Sequence, residues 1–324
     1  MNFLLSVLIF IFILFIYIHI VDQYKKGQDF EVYETDYIDN ASMQEIFNVK
    51  QPVIFELKNI DPSIFEYFTL DNISTANNPY NINVKDTNDY YKDQDSVDYI
   101  SLPYQSALSL MRTDTNSHYF TENNFEFVEE GSLIDTKFDN LDNLFKPNFT
   151  IQKKYDIMFG SKNTGTPVRY HIDYRRYLIV MNGKITVKLT PWKSGKYLHE
   201  MKDYDNFEFR SPVNIYNPQT PFKHDVDKLK FLEFDVYKGH VLYIPPYWWY
   251  SIKYSNEEDT FILGCTYNSI INRIANIPDI AKYYLQQQNT TKKIAKTLNT
   301  NNNIPLSTEN EELVEHREPT VPCI

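Results

Sequence analysis

The stretch 239-GHVLYIPPYWWYSIKY-254 has the pattern of a strand, a tight turn and a second strand. Gly239 opens it, and "VLYI" alternates between two faces, as successive side chains of a strand do. Pro245-Pro246 stops the pairing, because proline has no N–H to give to a ladder. "YWWYSIKY" then begins a new run. Similar runs lie on both sides. Upstream are "FTIQKKYDIMFG", "TPVRYHIDYRRYLIVMNGKITVKLTPW" and "FLEFDVYKG"; downstream is "TFILGCTYN". "ITVKLTP" has period two, and Asn182-Gly183 before it predicts a hairpin turn. Strands at this short spacing predict a barrel or sandwich.

Farther out the pattern weakens. "QPVIFEL", Gln51 to Leu57, predicts the first strand. From Asn59 to about Asp142 the chain is rich in Asp, Asn and Tyr and predicts short helices and long loops, with "SALSLM" a helical turn. "INRIANIPDIAKYYLQQQ" predicts one or two helices broken at Pro278. Beyond Thr290 the composition is polar and predicts a disordered tail.

The N-terminus carries a different signal. Phe3 to Val21 is a run of roughly 19 residues without a formal charge, long enough for a bilayer-spanning helix. It has no basic leader and no small-x-small cleavage site, which favours an anchor over a signal peptide. Lys25 and Lys26 follow the span and no Lys or Arg precedes it, which places the bulk of the chain in the cytosol of a single-pass protein. The resulting division is an anchor at 1–22, a juxtamembrane linker at 23–45, a β domain at 46–272, helices at 273–290 and the tail at 291–324. Asn-x-Ser/Thr sequons begin at Asn40, Asn72, Asn148 and Asn289 and would matter only on a lumenal face.

The 324 residues carry a formal net charge of -11, which argues against nucleic acid as a partner. With 26 Tyr and 22 Phe against 8 Gly, the chain can build a large aromatic core. Cys265 and Cys323 give neither a disulfide framework nor zinc-ligand spacing; Cys265, within "FILGCTY", reads as a small buried side chain.

"FGSKNTGTPVRYHID", "NGKITVKLTPW" and "GHVLYIPPYWWYSI", in that order and spacing, resemble the cupin-like, JmjC-related branch of the iron and 2-oxoglutarate dioxygenases over about Gln51 to Asn268. The resemblance implies a mainly β fold, a double-stranded β-helix (a cupin or jelly-roll barrel) with peripheral helices. In overall character the chain is also similar to membrane-anchored cupin-like proteins of large DNA viruses. The family holds iron with two His and one carboxylate on one face, leaving the other positions to 2-oxoglutarate and oxygen. Counted from Thr166-Pro167, its His-x-Asp pair falls on Arg169 and His171, and its distal His falls on Tyr250. Arg stays protonated and cannot ligate a metal. A literal His171-x-Asp173 pair survives two residues on, and a slip of two keeps the same sheet face. Where relatives carry a lysine for the 2-oxoglutarate carboxylate, this chain has Ile185, with Lys184 directed to the opposite face. Thr166 matches a position that can bond the co-substrate.

Other residues have plainer readings beside functional ones. Arg169, Arg175 and Arg176 form a basic cluster that either pairs with nearby Asp or holds an anion in the barrel mouth. His224 and Asp227 read as a polar loop, His240 as a turn residue, and Trp248 and Trp249 as packing. The expectation is a membrane-anchored cupin-like module without iron chemistry and without a cofactor. It would bind an unidentified protein or small anionic ligand in a pocket lined by Arg169, His171 and Tyr250. The alternative is an Fe(II) and 2-oxoglutarate protein hydroxylase using His171 and Asp173. A metal-free sugar- or nucleotide-binding cupin is a third reading.

Overall fold

The quoted stretch forms two strands that leave for different sheets. The computed structural model describes residues 2–75, 80–92, 96–129, 131 and 136–289; Cys323 and the 291–324 tail lie outside them. In chain order the strands are β1 Tyr33–Glu34, β2 Val53–Glu56, β3 Ile82–Asp86, β4 Ile100–Leu102, β5 Tyr119–Thr121, β6 Thr150–Gly160, β7 Arg169–Tyr170, β8 Arg175–Asn182, β9 Lys184–Thr190, β10 Met201–Asp203, β11 Glu208–Arg210, β12 Leu232–Tyr237, β13 His240–Ile244, β14 Trp249–Tyr254 and β15 Phe261–Ser269. A nine-stranded sheet runs β1-β2-β13-β8-β15-β6-β5-β3-β4, and a six-stranded sheet runs β10-β11-β7-β14-β9-β12. Apart from the parallel β1–β2 pair, neighbours are antiparallel.

The Pro-Pro turn therefore carries the chain from one sheet to the other. Asn182-Gly183 does the same. It was expected to close a hairpin, but β8 pairs with β13 and β15 while β9 pairs with β12 and β14. Gly183 sits at φ +71, and a Cβ there would lie 2.9 Å from Thr260 Oγ1. The positive φ expected of an Asn-Gly turn is present, but it serves a crossing between layers. From Thr150 onward, the connections β6–β7, β7–β8, β8–β9, β12–β13, β13–β14 and β14–β15 all change sheets.

The alternation of side chains along each strand sorts the core into layers. On β8, Leu178 and Val180 face the six-stranded sheet and pack with Val187, Leu189, Tyr250 and Ile252. Tyr177, Ile179 and Met181 face the other way, into a layer shared with helix Asn40–Phe47 and helix Tyr104–Thr113. Both faces of β8 and β15 are covered, which explains why "YLIVM" and "FILGCTY" read as continuous apolar runs. Cys265 is buried there, as expected. On the outer face of the small sheet Tyr170, Phe209 and Trp249 form a third cluster.

The N-terminal helix, Asn2–Gln23, is long and apolar enough to cross a membrane, and its side chains from Phe3 to Phe15 are largely exposed. The stretch 23–45, expected to be linker, belongs in part to the packed body. β1 pairs with β2, and helix Asn40–Phe47 buries Met43 and Phe47. The chain leaving this helix is clasped at once. Lys50 Nζ donates to the Asp22 carbonyl, Tyr24 OH donates to the Ala275 carbonyl, and Lys26 Nζ lies 3.7 Å from the Trp192 ring centroid. Gly27 is buried where a Cβ would collide with the Lys50 carbonyl oxygen. At the other end the expected helix break falls at Asn276, between helix Ile270–Ala275 and helix Ile277–Gln287. Pro278 lies in the first turn of the second helix, where its missing N–H costs nothing. The chain falls into two compact units, residues 1–283 and 284–324; the second is described only over residues 284–289.

Candidate functional site

Arg169 on β7 stands directly opposite Tyr250 on β14. Both side chains point between the sheets, as the two-residue strand period requires once Tyr170 and Trp249 face outward. Arg169 Nε donates to Tyr250 OH at 3.3 Å, and the guanidinium lies 4.9 Å from that ring's centroid. The three positions at which the resemblance expects ligands are thus brought together: the His171 ring centroid is 6.4 Å from that of Tyr250.

The Arg169 guanidinium is also ion-paired with Glu122, just beyond β5. Glu122 Oε1 takes Lys85 Nζ of β3 at 2.7 Å, and Lys85 Nζ lies 2.5 Å from Glu208 Oε1 of β11. Tyr90 OH, Tyr99 OH and Asn123 Nδ2 complete the Glu208 carboxylate. Two cations and two anions thus form one buried chain, Arg169–Glu122–Lys85–Glu208. Burial by itself would raise the Glu122 pKa, but Arg169 and Lys85 outweigh it and hold the carboxyl below its usual value.

His171 is held differently. Its Nε2 lies 2.9 Å from the Ile244 carbonyl oxygen. A carbonyl only accepts, so Nε2 carries the hydrogen and Nδ1 keeps its lone pair. Nδ1 has no hydrogen-bond partner and lies 3.7 Å from Asp173 Oδ2. Burial lowers the imidazole pKa to about 4 despite the attraction of Asp173. Asp173 Oδ1 accepts from Asn268 Nδ2 at 3.0 Å. Among the described residues no group of three or more His, Cys, Asp and Glu is placed to hold a metal ion.

The arginine cluster is divided between two faces. Arg176 faces the interior, 6.0 Å from the Tyr250 ring centroid and within electrostatic reach of Asp173 and Glu122. Arg175 lies on the opposite face of β8, donating to Gln44 Oε1 at 2.9 Å and Asn48 Oδ1 at 2.6 Å. It fastens helix Asn40–Phe47 to the sheet. Thr166 Oγ1 accepts from Ile252 N at 2.9 Å, so it ties the loop to β14. Ile185 belongs to the interior core, while Lys184 reaches Asp235 at 3.5 Å. His224 and Asp227 lie in and just after the short helix Lys223–Val226. Trp248 packs inside and donates to the Lys50 carbonyl at 3.2 Å; Trp249 packs outside.

A cavity of about 310 Å³ lies elsewhere, beside Lys253 near the end of β14. It is lined by polar groups including Asn88, His118, Asn163, Tyr216 and Lys253 and does not include Arg169, His171 or Tyr250. This cavity is separate from the positions that the resemblance marks, where Arg169, His171 and Tyr250 are buried. Lys85, Glu122 and Glu208 carry no sequence motif; their only trace is a charge inside short apolar runs such as "INVKD" and "NFEFR".

Residues 39–273, well over half of the chain, match the family model of the cupin-like domain. The chain belongs to that family. No curated protein matches it.

Proposed function

We propose that this protein is a membrane-anchored cupin-like binding module in which an internal ion network replaces iron and 2-oxoglutarate chemistry. The repeated passage of the chain between the two sheets supports a double-stranded β-helix as the scaffold. The observation that carries the reading is Arg169 at a ligand position, with its guanidinium committed to Glu122 and Tyr250. The donor set does not fit a ferrous ion of the family's kind. A fixed cation stands where one ligand belongs, a phenol where another belongs, and His171 Nε2 is spent on a backbone carbonyl. A divalent ion beside Arg169 would meet repulsion in a poorly screened interior. The similarity to membrane-anchored cupin-like proteins of large DNA viruses is part of the same reading, as are the cytosolic placement and the unidentified protein or small anionic ligand.

One arrangement favours the hydroxylase alternative. His171 Nδ1 keeps a free lone pair close to the Asp173 carboxylate, so two donors face one point. The test is metal content and succinate release from the purified chain supplied with iron and 2-oxoglutarate. The binding-module reading expects neither stoichiometric iron nor turnover. Turnover that is lost in His171→Ala would overturn it. Gain of iron binding in the double variant Arg169→His, His171→Asp would identify the pocket as an oxygenase site lacking its ligands.

A further inference from the structure

Helix Ile270–Ala275 is built inside out for a water-facing helix. Its inward face carries amides: Asn272 Nδ2 and Asn276 Nδ2, one turn apart, each donate to the Ile172 carbonyl at 3.1 Å. Its outward face carries isoleucines. Ile270 and Ile274, also one turn apart, are 46% and 39% exposed, and Ile277 at the start of the next helix is 56% exposed. Residues at i and i+4 share a face, so the two isoleucines form a stripe. Scattered exposed apolar residues are ordinary, but a stripe with buried amides behind it indicates an apolar neighbour.

The neighbour is indicated by what the helix already touches. It packs against the N-terminal apolar helix. Asn272 Nδ2 lies 3.5 Å from Gln23 Oε1, and Tyr24 OH bonds the Ala275 carbonyl. Ile16 and Ile20 are the half-buried positions of the otherwise exposed apolar run. Gln23 lies two residues past Val21, the end of the apolar run. At 1.5 Å per residue this is about 3 Å along the axis. Helix Ile270–Ala275 is therefore held at the depth where a spanning helix leaves the hydrocarbon. Cationic and aromatic groups suited to a bilayer interface occur on the helix and on the chain that leaves the N-terminal helix: Arg273 in the last turn of Ile270–Ala275, Lys25 paired with Asp22, and Lys26 over the rings of Trp192 and Tyr247.

We propose that Ile270, Ile274 and Ile277 insert into the acyl–headgroup boundary of the bilayer, so that the folded body rests on the membrane through a second, peripheral contact beside its anchor. This rests on the reading of Phe3–Val21 as a spanning helix. The body then has one fixed face toward the membrane.

The experiment uses the full chain with Cys323→Ser, reconstituted into phosphatidylcholine vesicles that contain nitroxide lipids labelled at the headgroup and along the acyl chain. An environment-sensitive fluorophore is attached at Ile274→Cys, at Ile270→Cys, at Tyr237→Cys on exposed β12, or at Phe12→Cys in the apolar run. The proposal expects blue-shifted emission at 274 and 270, quenching by the nitroxide lipid, and several-fold weaker quenching by aqueous iodide than at 237. Lipid quenching at 12 with iodide quenching at 274 and 270 equal to that at 237 would overturn the proposal and leave the anchor standing. Absence of lipid quenching at 12 would overturn both.

Discussion

At the scale of single residues, the interior network couples charges that are stable only together. Arg169→Met leaves Glu122 in a dry site with Lys85 in direct contact and only the more distant Arg176 as a second cation. Breaking a buried pair from one side costs about 3–5 kcal/mol. Urea unfolding should show a loss of that size, and adding Glu122→Gln to the same chain should restore part of it, because the orphaned charge is then gone. His171 gives a separate handle through pH. Its folded pKa is lowered to about 4 from an ordinary 6.5, so the unfolded chain binds more protons between those values. Stability contributed by the neutral imidazole is fully present above 6.5 and is lost as pH falls from 6.5 toward 4. The loss is on the order of 3 kcal/mol over that window. A wild-type chain should lose stability between pH 6.5 and 4.5 more steeply than His171→Asn; equal slopes would show that the histidine is not held neutral. The proximity of Arg169, His171 and Tyr250 was legible because the motifs align them; Arg169 and Tyr250 lie opposite each other on paired strands, with His171 just past β7. Glu122, Lys85 and Glu208 were not. They come together through pairing of β3, β5, β6, β7 and β11, across more than a hundred residues of sequence, and local periodicity cannot report such a meeting. Arg175 and Arg176 are adjacent in sequence, yet the strand period sends them to opposite faces.

At the scale of elements, turns carry most of the organisation. Gly183→Ala would force a side chain to φ +71 against Thr260. The left-handed region alone costs a non-glycine residue about 1–2 kcal/mol. A thermal melt should fall accordingly, and an unchanged melt would mean that the crossing relaxes freely. The clasp after the span is more local. Gly27→Ala would push residue 27 off the Lys50 carbonyl and loosen Lys25 and Lys26. Trypsin should then cleave at these lysines several-fold faster than in the parent chain, while the core strands stay protected. The strands themselves were readable from apolar runs, and the turns from Gly, Pro and Asn. What the turns join was not readable. An Asn-Gly pair and a Pro-Pro pair report a sharp change of direction, not whether the next strand returns beside its predecessor or crosses to another layer. Residues 23–45 were taken for linker because they are polar; Met43 and, just beyond, Phe47, four apart, were the small sign of a buried helical face.

At the scale of the whole molecule, the apolar N-terminal helix should dominate partitioning. Alkaline carbonate extraction should leave the full chain in the membrane pellet, and a chain lacking residues 1–21 should move to the supernatant. Recovery of the intact, uncleaved chain in the supernatant would remove the anchor. The layered body has a further consequence, for how it can form. Because the chain changes sheets at six connections after Thr150, neither sheet is contiguous in sequence: the six-stranded sheet waits for β14, and the nine-stranded sheet cannot be completed before the last strand, Phe261–Ser269, is inserted between β6 and β8. Loop closures that join distant segments must precede the contacts that reward them. Synthesis from the N-terminus therefore delivers the apolar N-terminal helix and much of the chain before the nine-stranded sheet can close. Until then β6 and β8 present open edges. The nascent chain depends on finishing translation to close its sheets, and a truncation anywhere before Phe261 should leave an aggregating, protease-sensitive product rather than half a domain.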